Sequence, residues 1–193
     1  MRRMRWLLAV SVMVAAAGVA GRGTVLAAKP VERLSALAVD MSNLAGANNT
    51  ATVDIIIERW STDAERDQLL AALKEGGAEG LLHSLQKVKE VGRISSGGSL
   101  GFPLRFAREA PSPSGGRRIV IGTDRVISFL ELRDRPRTVD YPFMVIDIRM
   151  DASGKGEGKL MPLAKITQDR DHVVEIENYA SEPVRLTAVQ SRK

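Results

Sequence analysis

Thr52-Val53-Asp54-Ile55-Ile56-Ile57-Glu58-Arg59-Trp60-Ser61-Thr62-Asp63-Ala64-Glu65 is the stretch on which the fold turns. Val53, Ile55 and Ile57 alternate with Asp54, Ile56, Glu58 and Trp60, the period-two pattern of a strand over 52–60. β-branched residues dominate it and suit a pleated surface. The pattern then changes without a spacer. Thr62 and Glu65 stand three apart, as in a capping box. Asp63 and Glu65 fall in a first turn, where the helix dipole favours anions. Ala64, Leu69, Leu70, Ala72 and Leu73 continue at helical spacing until Gly76-Gly77 ends the run. A second short helix is predicted over 78–88, with Leu81, Leu82, Leu85 and Val88 on one side and Gly80 as its weak point. The expectation is a helical hairpin over 62–88 that covers an end or a face of a sheet.

The rest of the chain reads as strands and turns. Apolar alternation places strands at 34–41, 91–94, 104–108, 117–123, 126–132, 144–150, 159–166, 172–178 and 184–189, with short polar turns between them. Such a run predicts a mainly β (α+β) fold: an antiparallel meander that closes as a barrel or folds as a sandwich, with the helical hairpin inserted after the second strand. A parallel sheet would need a helix between successive strands, and one place alone offers a helix.

Arg2, Arg3 and Arg5 precede an apolar run over 6–20, fifteen residues long and short for a bilayer span. Val25-Leu26-Ala27 and Leu26-Ala27-Ala28 offer cleavage sites. This is the layout of a signal peptide, expected over 1–27, followed by a single β-rich domain over 28–193. The protein is therefore expected to be exported, to the periplasm or the extracellular space. Against 23 Asp and Glu the chain carries 28 Lys and Arg, a net charge of +5. Four of those Arg (2, 3, 5 and 22) lie in the leader, which holds no acid, so the remainder has 24 bases against 23 acids. A nucleic-acid binder needs a surplus of cations to displace phosphate counterions, so no nucleic-acid partner is expected. The chain has no Cys, which rules out disulfides. With His83 and His172 its only histidines, most zinc arrangements are excluded too, and neither metal nor cofactor is expected. No second apolar run reaches spanning length, so no integral membrane segment is expected once the leader is removed.

Few motifs carry chemistry. Gly154-Lys155-Gly156-Glu157-Gly158-Lys159 has the glycines and lysines of a phosphate loop, but position 153 is Ser and position 160 is Leu, and a strand follows; it reads as a hairpin. Arg133, Arg135 and Arg137 match the geometry of carboxylates and phosphates, yet Asp134 and Asp140 interleave with them and favour local ion pairs. Asp54 and Glu58 are about 13 Å apart along a strand, too far to form a glycosidase pair by themselves. No Ser sits in a nucleophile elbow, and nothing in sequence pairs either His with a nucleophile. Trp60 and Tyr141 stand at strand ends, where an aromatic can rim a pocket. With Arg105 and Arg137 they are the candidate ligand-binding residues.

Three stretches, 58–66, 137–143 and 176–186, are similar to those of exported bacterial proteins without an assigned function. The resemblance implies a bacterial exported origin and supplies no catalytic or binding residues. The functional expectation is a non-enzymatic exported barrel or sandwich that binds a small apolar or amphiphilic molecule, as a lipocalin-like carrier. A barrel of about eight strands can enclose one small ligand. Two alternatives stay open: a structural or partner-binding envelope protein, and a hydrolase whose site is assembled in space around His172.

Overall fold

A computed structural model describes residues 30–40, 50–97, 99–112, 115–125, 136–169, 173–180 and 182–192. The expected leader over 1–27, the strand expected over 126–132, Arg133, Arg135 and His172 lie outside the described residues. Ten strands and one helix follow in the order β1 (Glu32–Val39), β2 (Thr50–Ile57), α1 (Asp63–Lys87), β3 (Gly92–Ser96), β4 (Phe102–Leu104), β5 (Phe106–Pro111), β6 (Arg117–Asp124), β7 (Phe143–Met150), β8 (Lys155–Gln168), β9 (Val174–Asn178) and β10 (Val184–Ser191). A 3-10 turn at Pro136–Asp140 precedes β7.

The fold is mainly antiparallel β, as the alternation predicts, and the strands form one sheet. Its order is β4-β3-β2-β1-β10-β8-β7-β6-β5, with β9 on the far half of β8. The ladder is not closed among the described residues: β4 and β5, at its two ends, are consecutive in the chain with Arg105 between them. β1 is central. It pairs with β2 along its whole length and with the last strand, β10, from Leu34↔Ser191 to Val39↔Arg185. β8 is fourteen residues long and serves three partners, β7 on one edge and, on the other, β10 near Lys159 and β9 near Ile166.

The inward faces make the main core. Ile55, Ile57, Leu104, Ile119, Ile148 and Val189 are each at most 1% exposed within one cluster. Burying each such side chain contributes about 1.5–3 kcal/mol, which is how a chain without disulfides holds its shape. At one end of the sheet Arg117 of β6 reaches Glu32 of β1 at 2.8 Å and Glu109 of β5 at 2.9 Å. β1 and β6 are not neighbours in the ladder, so this ion pair links two strands that strand pairing does not bring together.

The strand expected over 52–60 begins at Thr50 and stops at Ile57. The N–H groups of Glu58 and Arg59 both donate to the Val91 carbonyl, which bends the chain off the ladder. Arg59 then turns back: its guanidinium donates to both carboxylate oxygens of Glu65 at 2.9 Å and to the Lys89 carbonyl at 2.7 Å. Thr62 and Glu65 form the capping box read from the sequence, each side chain bonded to the other's backbone N–H. One salt bridge thus fixes both where the strand ends and where the helix starts.

The two helical segments expected on either side of Gly76-Gly77 are both present, run together as α1 and separated by a break at Gly77, whose φ of 59° is left-handed. The two halves lie against each other: a Cβ on Gly80 would sit 2.6 Å from the Ala72 carbonyl oxygen. In an unbroken helix residues eight apart would be about 12 Å apart along the axis. Gly80 is therefore a contact point and not simply a weak one.

This yields two opposed expectations for Gly80→Ala. Helix propensity alone gives a gain of about 1 kcal/mol, whereas the close approach predicts a loss of about 1–3 kcal/mol through overpacking. Denaturant unfolding should show the loss. The Arg59 hydrogen bonds and the Thr62 cap hold the Glu65 carboxyl below its ordinary range, against a smaller opposing effect of burial. A depressed folded pKa means the stabilisation is full above the unfolded value near 4.5 and is lost as pH falls through the folded value. Glu65→Gln should be less stable than the parent at pH 7, and the gap should close below pH 4.5.

Candidate functional site

α1 lies on the outer face of the sheet. Leu69, Leu73, Leu81 and Leu85 pack there on Phe143, Val145 and Ala164, forming a second core. Beyond Ala164 the partner β7 has ended, and β8 continues with β9 alone as a two-stranded extension in which Ile166 opposes Ile176. The extension runs beside the helix without closing onto it. Between them is a cleft of about 160 Å³. Leu69, Leu70 and Leu73 form one wall, Ile166, Val174 and Ile176 the other, and Phe106, Val120 and Val145 the floor. Gly122 belongs to the floor as well, where a Cβ would meet nothing nearer than Phe106 at 3.9 Å, so its missing side chain leaves room. Leu70, Val174 and Ile176 are each 39% exposed, so both walls of the cleft present apolar surface to water. Arg66 alone among the lining residues is charged, and it pairs with Asp63 and Asp67.

β9 stays in place through its other face. Glu177 alternates with Ile176 and accepts a 2.6 Å hydrogen bond from the Tyr141 hydroxyl. The Tyr141 ring packs edge-on against Tyr179, with centroids 5.2 Å apart. Hydrogen bonding to Glu177 raises the Tyr141 phenol above its ordinary pKa, with Arg137 opposing weakly. Tyr141 and Arg137 are therefore within electrostatic reach of each other. Trp60 instead packs half-buried against the main core. Arg105 donates to the Val88 carbonyl at 2.9 Å and sits 3.4 Å from Asp124. Among the described residues no hydrogen bond or ion pair joins these four into one site.

The cleft residues carry a signal in the sequence, but an ambiguous one. Val174 and Ile176 alternate with Glu175 and Glu177, and Leu70 adjoins the Leu69–Leu73 stripe. That pattern marks an apolar face without saying whether another element covers it. Among the described residues no cluster of His, Asp or Glu can hold a metal ion. No described helix is long and apolar enough to cross a membrane.

Tyr141→Phe should speed amide hydrogen exchange in β9 while leaving the global unfolding midpoint unchanged, because the lost bond braces one wall only. The raised phenol pKa fixes the sign with pH: the bracing is full below pH 10 and fades as pH rises through the folded value.

Compared with known proteins, the chain matches no family model, no curated protein and no solved structure.

Proposed function

We propose that this is an exported, non-enzymatic binding protein that takes a small apolar or amphiphilic ligand, with the apolar part seated in the cleft between α1 and β9. The observation that carries the reading is the cleft whose opposite walls carry Leu70 and the pair Val174 and Ile176, apolar and open to water. Exposed apolar side chains gathered around one cleft are a feature of ligand-binding grooves. Export is supported by the leader layout, and a bacterial origin by the resemblance of the three stretches.

The seat proposed is outside the sheet. We take the sheet to curl as a flattened barrel with the consecutive strands β4 and β5 as its seam. The ion pair from Arg117 to Glu32 supports this, as do the inward positions of Gly156 and Gly158, which let β8 pass close to β7. Ile55, Ile57, Ile119 and Ile148 fill the space inside, where a lipocalin-like carrier would hold its cargo. The outer cleft has roughly the volume that accepts a benzene-sized group. About five buried methylenes contribute about 4 kcal/mol, a millimolar affinity unless other contacts add to it.

A neutral naphthylamine probe should gain fluorescence with the protein, and medium-chain alcohols should displace it. Leu70→Asp and Ile176→Asp should each weaken the probe at least tenfold. Both positions are partly exposed, so the melting temperature should move little. Equal probe binding in the parent and both variants would sink the reading.

A further inference from the structure

The cleft floor continues into a charged row on the same face of the sheet. Val145 opposes Met161; the next pair on that face is Asp147 with Lys159, and the one after it is Arg149 with Glu157. On its other side Lys159 faces Arg185 of β10 directly. Like charges opposed across an antiparallel pair destabilise it. The carboxylate placed to relieve Lys159 is already engaged, because Arg118 holds both oxygens of Asp147 at 2.8 and 2.9 Å. Arg149, Lys159 and Arg185 are exposed, and among the described residues none of them has a salt-bridge partner. They surround a depression of about 350 Å³ at Gly158, with Glu157 and the occupied Asp147 on its rim. After the Arg118–Asp147 pair cancels, three cations face one carboxylate.

We propose that the ligand is an anionic amphiphile, whose carboxylate or phosphate head sits on Arg149, Lys159 and Arg185 while its apolar part enters the cleft. The proposal rests on the cleft reading and adds the ligand's charge and its direction. From Val145 to Asp147 is two residues of strand, about 7 Å, so one short chain spans both regions. The guanidinium groups offer planar forks to the head and Lys159 a point charge. The net local excess of two suits a singly or doubly charged head.

The test is isothermal titration at low salt with octanoate, octyl phosphate, octanol and inorganic phosphate. Both octyl anions should bind at least tenfold more tightly than octanol, and added salt should narrow the difference. Lys159→Gln with Arg185→Gln should erase the difference and leave octanol binding unchanged. That double variant removes a like-charge pair, so it should unfold no earlier than the parent, which separates lost binding from lost structure. Equal binding of octanol and octanoate overturns the head site and leaves the cleft reading intact. Failure of all three octyl compounds removes the cleft reading and this proposal with it. Inorganic phosphate binding as tightly as octyl phosphate, with no response to Leu70→Asp, identifies a free-anion site and overturns the amphiphile.

Discussion

The structure depends on β1 being held on both sides. It joins the β2–β3–β4 hairpins to the β10–β8–β7–β6–β5 run, so the first and last strands of the domain meet at its middle. Without that pairing two smaller sheets would each expose an apolar face. With it, Leu34 and Ala36 of β1 and Leu186 of β10 enter the same core as Ile119 and Ile148. Contacts this distant in sequence carry a high loop-closure cost and are expected to form late in folding. The Arg117–Glu32 ion pair also acts on β1, since it links β6 to the start of that strand. Partly buried and bidentate between two carboxylates, Arg117 positions the flanks more than it stabilises them.

The β1–β10 pairing is also one of the places where the ladder is irregular. The register shifts between Ser35 and Leu37 on β1 and between Leu186 and Val189 on β10. Ala188 lies inside that interval with φ of 50°, a left-handed conformation that costs a non-glycine residue roughly 1 kcal/mol or more. A bulge here bends β10 and increases its twist. Opposite it, Gly156 leaves space that a Cβ would deny, 2.1 Å from the Arg149 carbonyl oxygen. Bulge and glycine meet where Val189 pairs with Gly156, and the opposite side of these strands faces outward. The shallow charged depression at Gly158 lies on that outward side.

Much of this was legible in the sequence, for a physical reason: period-two alternation survives wherever one face is buried. β6 and β7 fall within a residue or so of their predicted bounds because Ile119, Ile121, Ile146 and Ile148 all point inward. β8 was predicted only from 159 and starts at Lys155, since Gly156 and Gly158 occupy inward positions without an apolar side chain to reveal them. The early end of β2 was hidden for a different reason, because it depends on Arg59 finding Glu65 and Lys89 in space. Of the candidate site, Tyr141 is a brace for β9 and Arg137 its electrostatic neighbour. The cleft itself was not legible. Alternation tells that Ile176 and Glu177 face opposite ways, and the spacing of Leu69 and Leu73 tells which stripe of α1 is buried. Neither tells that the β8–β9 extension stops short of the helix.

That gap is what separates this fold from a carrier with an internal site. β-branched side chains packed in contact on the sheet's inner face leave little room to admit a guest without breaking their own packing, and a core tolerates few added methylenes. A cleft between a helix and a two-stranded extension carries no such penalty. Its walls belong to elements with few neighbours, and β9 in particular has one strand partner and a tyrosine brace. Such an element opens locally at low cost. On the binding function proposed above, ligand exchange would leave the β1-centred core undisturbed, and the charged row beside the cleft would set the orientation of the guest without requiring any buried polar group.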